Sequence, residues 1–131
     1  YSPIKLRAIK TRIVGKKLTI EETLVRAIDS GEFRTILAAL ALFNHIKNWS
    51  LLYKLAKERN LMKKVGALYD TARRIIKTRK INKKIYNGLL QAKEKEKYII
   101  KGLSSKDYND IEKKWKIYIP FNKSDLWRYK E

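Results

Sequence analysis

Cysteine is absent from this chain of 131 residues, and histidine occurs once, as His45. Without cysteine there are no disulfides, zinc–thiolate sites or cysteine nucleophiles, and one isolated histidine is poor evidence for a metal or a catalytic triad. The longest apolar run, Ile36 to Phe43, is far shorter than the about 20 residues that a membrane span needs. We therefore expect a soluble, cytoplasmic protein that uses no cofactor and no metal.

Acidic residues are also scarce: 32 Lys and Arg face only 13 Asp and Glu, which gives a net charge of +19. The excess is unevenly distributed. Residues 1–18 carry six cations and no acid, residues 61–101 carry thirteen and three, and residues 19–60 carry six and five. Positive charge in such blocks indicates a nucleic acid or an acidic protein as partner. An anionic membrane is disfavoured, because the predicted helices carry apolar faces suited to a protein core.

The strongest basic block lies between Leu61 and Lys84, where apolar residues recur at helical spacing and define one buried face. These residues are Leu61, Val65, Leu68, Tyr69, Ala72, Ile75 and Ile76. Nine cations lie away from that face or beyond the predicted helix end, and Asp70 is the one acid among them. A solvated helix face normally mixes both signs at i,i+4 spacing, so we interpret this block as a polyanion-binding surface, with a solvated face as the alternative.

The N-terminal residues 4–20 alternate apolar and basic side chains around Gly15–Lys16, which predicts a basic β-hairpin with its second strand at Lys17–Ile20. Such a hairpin either lies along phosphates or is an edge ribbon whose lysines prevent strand pairing, and both interpretations stay open. The predicted nucleic-acid-binding residues are Lys10, Arg12, Lys16, Lys17, Lys63, Lys64, Arg73, Arg74, Lys77, Arg79, Lys80, Lys83 and Lys84.

Capping signals predict the helices in the first half of the chain. Thr19 and the glutamate three residues later fit a capping box that starts a helix, and Ser30–Gly31 ends it. The apolar stretch Phe33 to Ile46 predicts one buried helix, and Asn48 caps another that stops near Asn60. This last helix and the basic one have the order of a helix-turn-helix, but packed helix pairs with short turns occur in most helical domains.

The C-terminal part carries mixed signals. Residues 85–90 predict a helix unless Asn87–Gly88 forms a turn, and Ser104 or Ser105 is expected to cap a short helix. The alternation of apolar and polar residues from Trp115 to Pro120 predicts a strand with one apolar side.

Together these elements predict an α+β fold, a mainly helical single domain with a basic N-terminal β-hairpin and a C-terminal strand. Its parts are the hairpin at 4–20, a helical core at 21–80 and a mixed part at 81–131. A chain of this length buries roughly two thirds of its unfolded surface, so one hydrophobic core is sufficient to stabilise the fold without disulfides or bound metals.

Several segments occur in an order that resembles a known family. They are KLRAIKTRIVGKKLTIEETLVRAI, then an apolar helix, then NWSLLYKLAKERNLMKKVGALYDTA, and finally KKWKIYIPFN. The order resembles the C-terminal half of the abortive-infection type IV antitoxin and transcriptional-regulator family (AbiEi-like). The resemblance covers roughly residues 5–122, with its two motifs at Thr19 to Val25 and at Lys64–Val65–Gly66–Ala67–Leu68.

The resemblance implies a regulatory context. Members of that family carry an N-terminal winged helix-turn-helix that binds operator DNA, followed by a C-terminal domain for toxin neutralisation, dimerisation or further DNA contact. This chain begins at Tyr1 and has no such N-terminal segment, so the resemblance implies that an upstream winged-helix domain is either absent or was removed. A homodimer and a cognate toxin are the protein partners that the resemblance implies.

An enzymatic interpretation comes from Asp107, Asp110, Glu112 and Lys114, whose carboxylate-x-lysine spacing is similar to that of metal-dependent nucleases. No Pro-Asp strand precedes these residues, and acids near a helix start are expected from the helix dipole alone. We therefore predict a non-catalytic, regulatory domain that binds nucleic acid, with DNA favoured over RNA. The alternatives are a protein-interaction module for an acidic partner and an RNA-binding ribonucleoprotein component.

Overall fold

Helices build nearly all of the regular structure in this computed structural model, which describes residues 18–76 and 78–130, without the side chains of 127–130. In chain order the elements are α1 (Ile20–Asp29), α2 (Phe33–Ala39), a 3₁₀ helix (Leu40–His45), α3 (Trp49–Glu58), α4 (Met62–Arg73), α5 (Lys83–Leu90), α6 (Asn109–Trp115) and α7 (Lys123–Lys130). Among the described residues, no helix has both the length and the apolar character that crossing a bilayer requires.

The predicted start and end of α1 are confirmed. The backbone N–H of Glu22 donates to the Thr19 hydroxyl at 3.0 Å, and Gly31 has a φ of +70°, the left-handed conformation that glycine adopts without steric cost. The carboxylate of Glu22 pairs with Arg26 at 3.2 Å, one turn further along the helix. Helix α1 therefore begins and ends where local sequence signals place it.

The apolar stretch Phe33 to Ile46 does not form the single helix that its composition predicts. It divides into α2 and the 3₁₀ helix, and the chain then becomes extended at Ile46. Leu40 and Phe43 are both buried, and residues three apart lie above one another in a 3₁₀ helix. The tighter winding therefore keeps the two large side chains on the core side.

Helix α3 begins and ends close to its predicted positions, whereas α4 ends at Arg73, before Ile75 and Ile76, which the sequence pattern places on its apolar face. Asn48 caps α3 by accepting the Leu51 N–H at 3.0 Å, and Asn60, with a φ of +58°, ends it in the left-handed conformation that asparagine tolerates. Residues 83–90 form α5, so the helical alternative is confirmed over a turn at Asn87–Gly88.

Helix α4, the basic helix, lies at the centre of the fold and contacts α1, α3, the 3₁₀ helix, α5 and α6. Val65, Leu68, Tyr69 and Ala72 are fully buried along its apolar face, as the sequence pattern predicts. Ring contacts extend this core, with Tyr69 edge-on to Phe43, Trp49 and Tyr86. The helix at the centre of the predicted basic block is therefore held in place by a fully buried apolar face.

The predicted C-terminal strand is wrong. Trp115 ends helix α6, and Lys116 follows in the left-handed conformation with a φ of +57°. Ile117 and Ile119 are buried and Tyr118 is exposed, so the alternation correctly reports burial. A strand also needs a neighbouring ladder, and this segment makes only one isolated parallel bridge, between Tyr98 and Tyr118.

The hydrogen bonds of this segment have other partners. The Tyr118 N–H donates to the Lys97 carbonyl at 2.7 Å, the Ile119 N–H donates to the Glu112 carboxylate at 2.8 Å, and the Ile119 carbonyl accepts from Ser105 N–H at 3.0 Å. Backbone groups satisfied in this way need no sheet.

The α+β fold class is wrong as well, because the part of the chain at 18–76 and 78–130 contains helices and no β-strand. Ile20, the last residue of the predicted second hairpin strand, is the first residue of α1. The rest of the predicted hairpin, residues 4–17, lies outside the described residues.

Candidate nucleic-acid interface

The predicted basic residues of α4 lie at its two ends. Lys63 and Lys64 are half-buried in the first turn, whereas Arg73 and Arg74 are exposed at the last turn. Acidic side chains from elsewhere in the chain lie near both ends, Glu94 and Glu96 at the first turn and Asp110 at the last.

Glu94 closes the N-terminal end of α4. Its carboxylate accepts the backbone N–H groups of Met62 and Lys63, both at 2.9 Å, and so satisfies two of the donors that a helix start leaves unpaired. The backbone amide of Tyr98, with the nearby charge of Lys64, holds the pKa of Glu96 below its ordinary value. Two carboxylates, those of Glu94 and Glu96, therefore lie near this end of α4.

The C-terminal end of α4 carries more available charge. The Arg73 guanidinium lies over the Tyr69 ring at 5.6 Å from its centroid and remains exposed. Arg74 forms an ion pair with Asp110 of α6, and this hydrogen bond holds the pKa of Asp110 below its ordinary value. In the described part of the chain, Arg74 is the only predicted binding cation in an ion pair.

A cleft of about 320 Å³ opens between α4 and α6, lined by Asp70, Arg73, Arg74, Asp110, Ile111 and Lys114. Asp70 is half-buried and its Oδ2 accepts two hydrogen bonds at 2.7 Å, from the Tyr86 hydroxyl and the Trp115 indole N–H. Burial, followed by this hydrogen bond to Asp70, raises the pKa of the Tyr86 hydroxyl. The carboxylate of Asp70 thus joins α5 and α6 to α4.

The remaining predicted cations follow α4 in the chain and are held against its C-terminal half. The Tyr69 hydroxyl accepts the Ile81 N–H at 2.9 Å and donates to the Arg79 carbonyl at 3.3 Å, and the Arg79 side chain donates to the Asn44 carbonyl at 3.2 Å. The Asn82 side chain then caps α5 at 2.8 Å from the Lys84 N–H. Four cations of this segment are exposed: Arg79, Lys80, Lys83 and Lys84.

Five of the predicted binding cations are exposed and make no ion pair within the described part of the chain: Arg73, Arg79, Lys80, Lys83 and Lys84. We call them the α4–α5 cations. Lys77 falls between the described ranges, and Lys10, Arg12, Lys16 and Lys17 precede them. Five of the thirteen predicted residues thus lie exposed between the C-terminal end of α4 and the first turn of α5, whereas Lys63 and Lys64 lie at the other end of α4.

Lys114 was missed as a candidate for this surface by the sequence interpretation. It lines the cleft beside Arg73 and Arg74, with its ammonium 4.7 Å from the centroid of the Tyr86 ring. The i,i+4 spacing of Asp110 and Lys114 indicates that they share one side of a helix, but nothing local indicates that this side meets α4.

The carboxylates that suggested a nuclease do not converge. Asp110 pairs with Arg74, while Glu112 accepts the Ser104 hydroxyl at 3.0 Å and the Ile119 N–H at 2.8 Å. Asp107 accepts the Lys123 N–H at 2.9 Å, at the start of α7. Within the described residues, no group of three or more His, Cys, Asp or Glu is arranged to hold a metal ion.

Comparison with family models, with curated proteins and with solved structures found no match for this chain. The resemblance to the AbiEi-like family therefore remains a prediction that is based on the segments quoted above.

Proposed function

We propose that this chain is a non-catalytic domain that binds nucleic acid through phosphate contacts, with duplex DNA favoured over RNA, in a cytoplasmic regulatory context. The α4–α5 cations are the contacts that we assign in the described part of the chain. The unassigned cations Lys10, Arg12, Lys16 and Lys17 are proposed as further contacts.

The observation that supports this proposal is where the acids of the region lie. Asp70 accepts hydrogen bonds from Tyr86 and Trp115 at the cleft, and Glu94 caps the opposite end of α4. Within the described residues, none of the α4–α5 cations forms an ion pair with these carboxylates. Exposed cations in excess of the nearby acids raise the local concentration of a polyanion and supply the counterion release that drives phosphate binding.

Salt dependence tests the proposal directly. For a duplex ligand, the logarithm of affinity falls with the logarithm of salt concentration by about 0.9 for each phosphate contact. The triple variant Arg73→Ala/Lys80→Ala/Lys83→Ala removes three exposed charges, so we expect a slope that is less steep by about 2 to 3 and weaker binding to all sequences.

A matched control is Arg34→Ala/Lys54→Ala/Lys57→Ala, which also removes one exposed arginine and two exposed lysines, from α2 and α3. Fluorescence anisotropy on one duplex, one structured RNA and heparin, over a range of salt, measures both variants. Equal slopes for the two variants would mean that binding depends on net charge alone, and the assignment of the α4–α5 cations would be wrong.

An acidic protein, such as a toxin, is the second candidate partner, because the same cations attract any polyanion. A protein partner neutralises the cations with discrete carboxylates, so it does not release the condensed counterions that a duplex releases. Tight binding to an acidic partner without measurable affinity for duplex or RNA would favour this candidate over nucleic acid. We also propose that the chain acts in an antitoxin-like regulatory context, as the AbiEi-like resemblance implies, and that it forms a homodimer.

A further inference from the structure

Two tyrosine rings stack on the surface away from the cleft. The rings of Tyr98 and Tyr118 have centroids 4.7 Å apart and planes inclined by 30°. The isolated backbone bridge between these residues places their side chains next to each other, and the Tyr118 N–H donates to the Lys97 carbonyl at 2.7 Å. The position of the outer ring is thus fixed by its backbone and by the ring beneath it.

Tyr118 is one of two large hydrophobic side chains that are exposed in the described part of the chain, at 38 %, and the other is Leu103. Tyr98 is half-buried and covers one face of the Tyr118 ring. The opposite face is therefore the one that a ligand can reach. A flat aromatic ring that is held in place and open on one side is suited to stacking.

Lysines surround this ring. A groove of about 350 Å³ is lined by Lys97, Asn109, Glu112, Lys113, Lys116, Ile117 and Tyr118. Its one carboxylate, Glu112, accepts hydrogen bonds from Ser104 and Ile119 and is held towards the protein. The groove therefore combines three lysines with an open aromatic ring.

Lys116 occupies an unusual backbone position at the edge of this groove. Its φ of +57° follows the last residue of α6, where glycine is the usual residue because it adopts the left-handed conformation without strain. A lysine there places a positive charge beside Tyr118 at the expense of backbone strain, and such strain is often found at binding sites.

The groove is separate from the α4–α5 cations. Asp110 and Lys114 of α6 line the cleft against α4, whereas Asn109 and Lys113 of the same helix line the tyrosine groove. The two surfaces thus lie on different sides of α6.

We propose that this groove binds an unpaired base of single-stranded nucleic acid, stacked on Tyr118, with the neighbouring phosphates on Lys97, Lys113 and Lys116. The proposal rests on the proposed function and adds a preference for unpaired strands. A duplex does not satisfy the site, because its bases are already stacked on both faces, and an uncharged ligand gains nothing from three lysines.

The test compares Tyr118→Ala with Tyr118→Phe in the whole chain. The probes are labelled oligo(dT) of about 12 nucleotides, within the roughly 4 to 16 that single-strand sites cover, and a duplex of equal length. We expect Tyr118→Ala to weaken oligo(dT) binding by about 5-fold to 150-fold, the range that stacking of one base supplies, and duplex binding by less than about 2-fold. Tyr118→Phe keeps the aromatic face and should bind like the unmodified protein.

Lys116→Gly gives a second readout that does not depend on the ring. Glycine relieves the backbone strain at this position, so the melting temperature should not fall, while oligo(dT) affinity should fall because a phosphate contact is lost. A variant that is equally stable but binds less well therefore supports the proposal.

The possible failures are distinguishable. Unchanged oligo(dT) affinity in Tyr118→Ala overturns the tyrosine site. If Arg73→Ala/Lys80→Ala/Lys83→Ala still weakens duplex binding, the proposed function is retained even though the tyrosine site is wrong. Equal losses for duplex and oligo(dT) in Tyr118→Ala also overturn it, because stacking cannot act on paired bases. An unmodified protein that binds neither probe overturns both proposals.

Discussion

Gly66 and Trp115 approach so closely that no side chain fits between α4 and α6. A Cβ atom built on Gly66 would lie 2.2 Å from Cη2 of the indole, and Trp115 is itself 1 % exposed and tied to Asp70 by its N–H. Glycine usually weakens a helix interior, so its presence here is explained by this contact. It brings α6, and with it Asp110 and Lys114, against α4.

Gly66→Ala is therefore expected to destabilise the protein. Alanine improves helix propensity by about 1 kcal/mol, but overpacking a rigid core costs typically about 1 to 3 kcal/mol, and a clash at this distance lies at the upper end. We expect the free energy of unfolding in urea to fall by about 1 to 2 kcal/mol.

The control for Gly66→Ala is the same change in a Trp115→Leu background. The smaller side chain opens the contact, so alanine should then be neutral or stabilising, as its helix propensity alone dictates. A fall of equal size in both backgrounds would mean that the indole is not the cause.

A second prediction concerns Glu21, which is 4 % exposed and accepts the backbone N–H groups of Lys47 and Asn48 at 2.8 and 2.9 Å. A hydrogen bond to a charged group contributes about 1.5 to 3 kcal/mol to stability. Glu21→Ala should therefore lower the free energy of unfolding by at least about 2 kcal/mol.

Glu22→Ala is the matched control, because it removes the neighbouring carboxylate, which makes an exposed i,i+4 pair with Arg26. Such a pair contributes about 0.2 to 0.5 kcal/mol, so this variant should remain close to the unmodified protein in urea denaturation. Equal losses in the two variants would contradict the structural role of Glu21.

The boundaries of α1 and α3 were predictable because caps are local, whereas the predicted Ser104 or Ser105 cap of α6 is wrong, since that helix begins at Asn109 without a side-chain cap. Thr19, Gly31, Asn48 and Asn60 act within a few residues of their own positions, and the structure places each of them as predicted. The role of Glu21 could not be predicted in this way, because its partners Lys47 and Asn48 lie 26 and 27 residues away in the chain. Long-range acceptors of this kind leave no local signal.

The false strand has a similar cause. Alternating burial from Trp115 to Ile119 is the signal of a half-buried strand, but an extended segment that packs on helices shows the same alternation. The helix end at Lys116 was also hidden, because the left-handed position there is taken by lysine rather than glycine. The sequence shows which residues are cations, but it does not show which carboxylates accept hydrogen bonds from distant parts of the fold, as Asp70 and Glu94 do.

The ion pair of Arg74 with Asp110 leads to a third prediction, on pH. The hydrogen bond from Arg74 lowers the pKa of Asp110 in the folded state. The contribution of this pair to stability is therefore fully present above the unfolded pKa of about 3.9 and is lost as pH falls through the lower folded value. In an NMR titration of the carboxyl carbons, Asp110 should titrate below the ordinary range for aspartate.

Arg74→Ala should return the Asp110 titration towards that ordinary range. Arg59→Ala is a suitable control, because it removes an exposed arginine that pairs with Asp29 and leaves the cleft unchanged. An Asp110 titration that is the same with and without Arg74 would show that the two side chains do not pair in solution.

The last prediction separates the N-terminal cations from the α4–α5 cations. The quadruple variant Lys10→Gln/Arg12→Gln/Lys16→Gln/Lys17→Gln changes only residues that precede the Thr19 cap, so helix α1 and the core should melt as before. If all four cations contact phosphates, the salt slope for a duplex should become less steep by up to about 3.6, at 0.9 per contact.

Combining this variant with Arg73→Ala/Lys80→Ala/Lys83→Ala should add the two reductions in slope, because contacts with separate phosphates release separate counterions. A quadruple variant with the parent slope would remove Lys10, Arg12, Lys16 and Lys17 from the interface and leave the α4–α5 cations as its whole basis. If instead the quadruple variant alone abolished the slope, phosphate binding would belong to the N-terminal residues, and the exposed charge along α4 and α5 would be a solvated face.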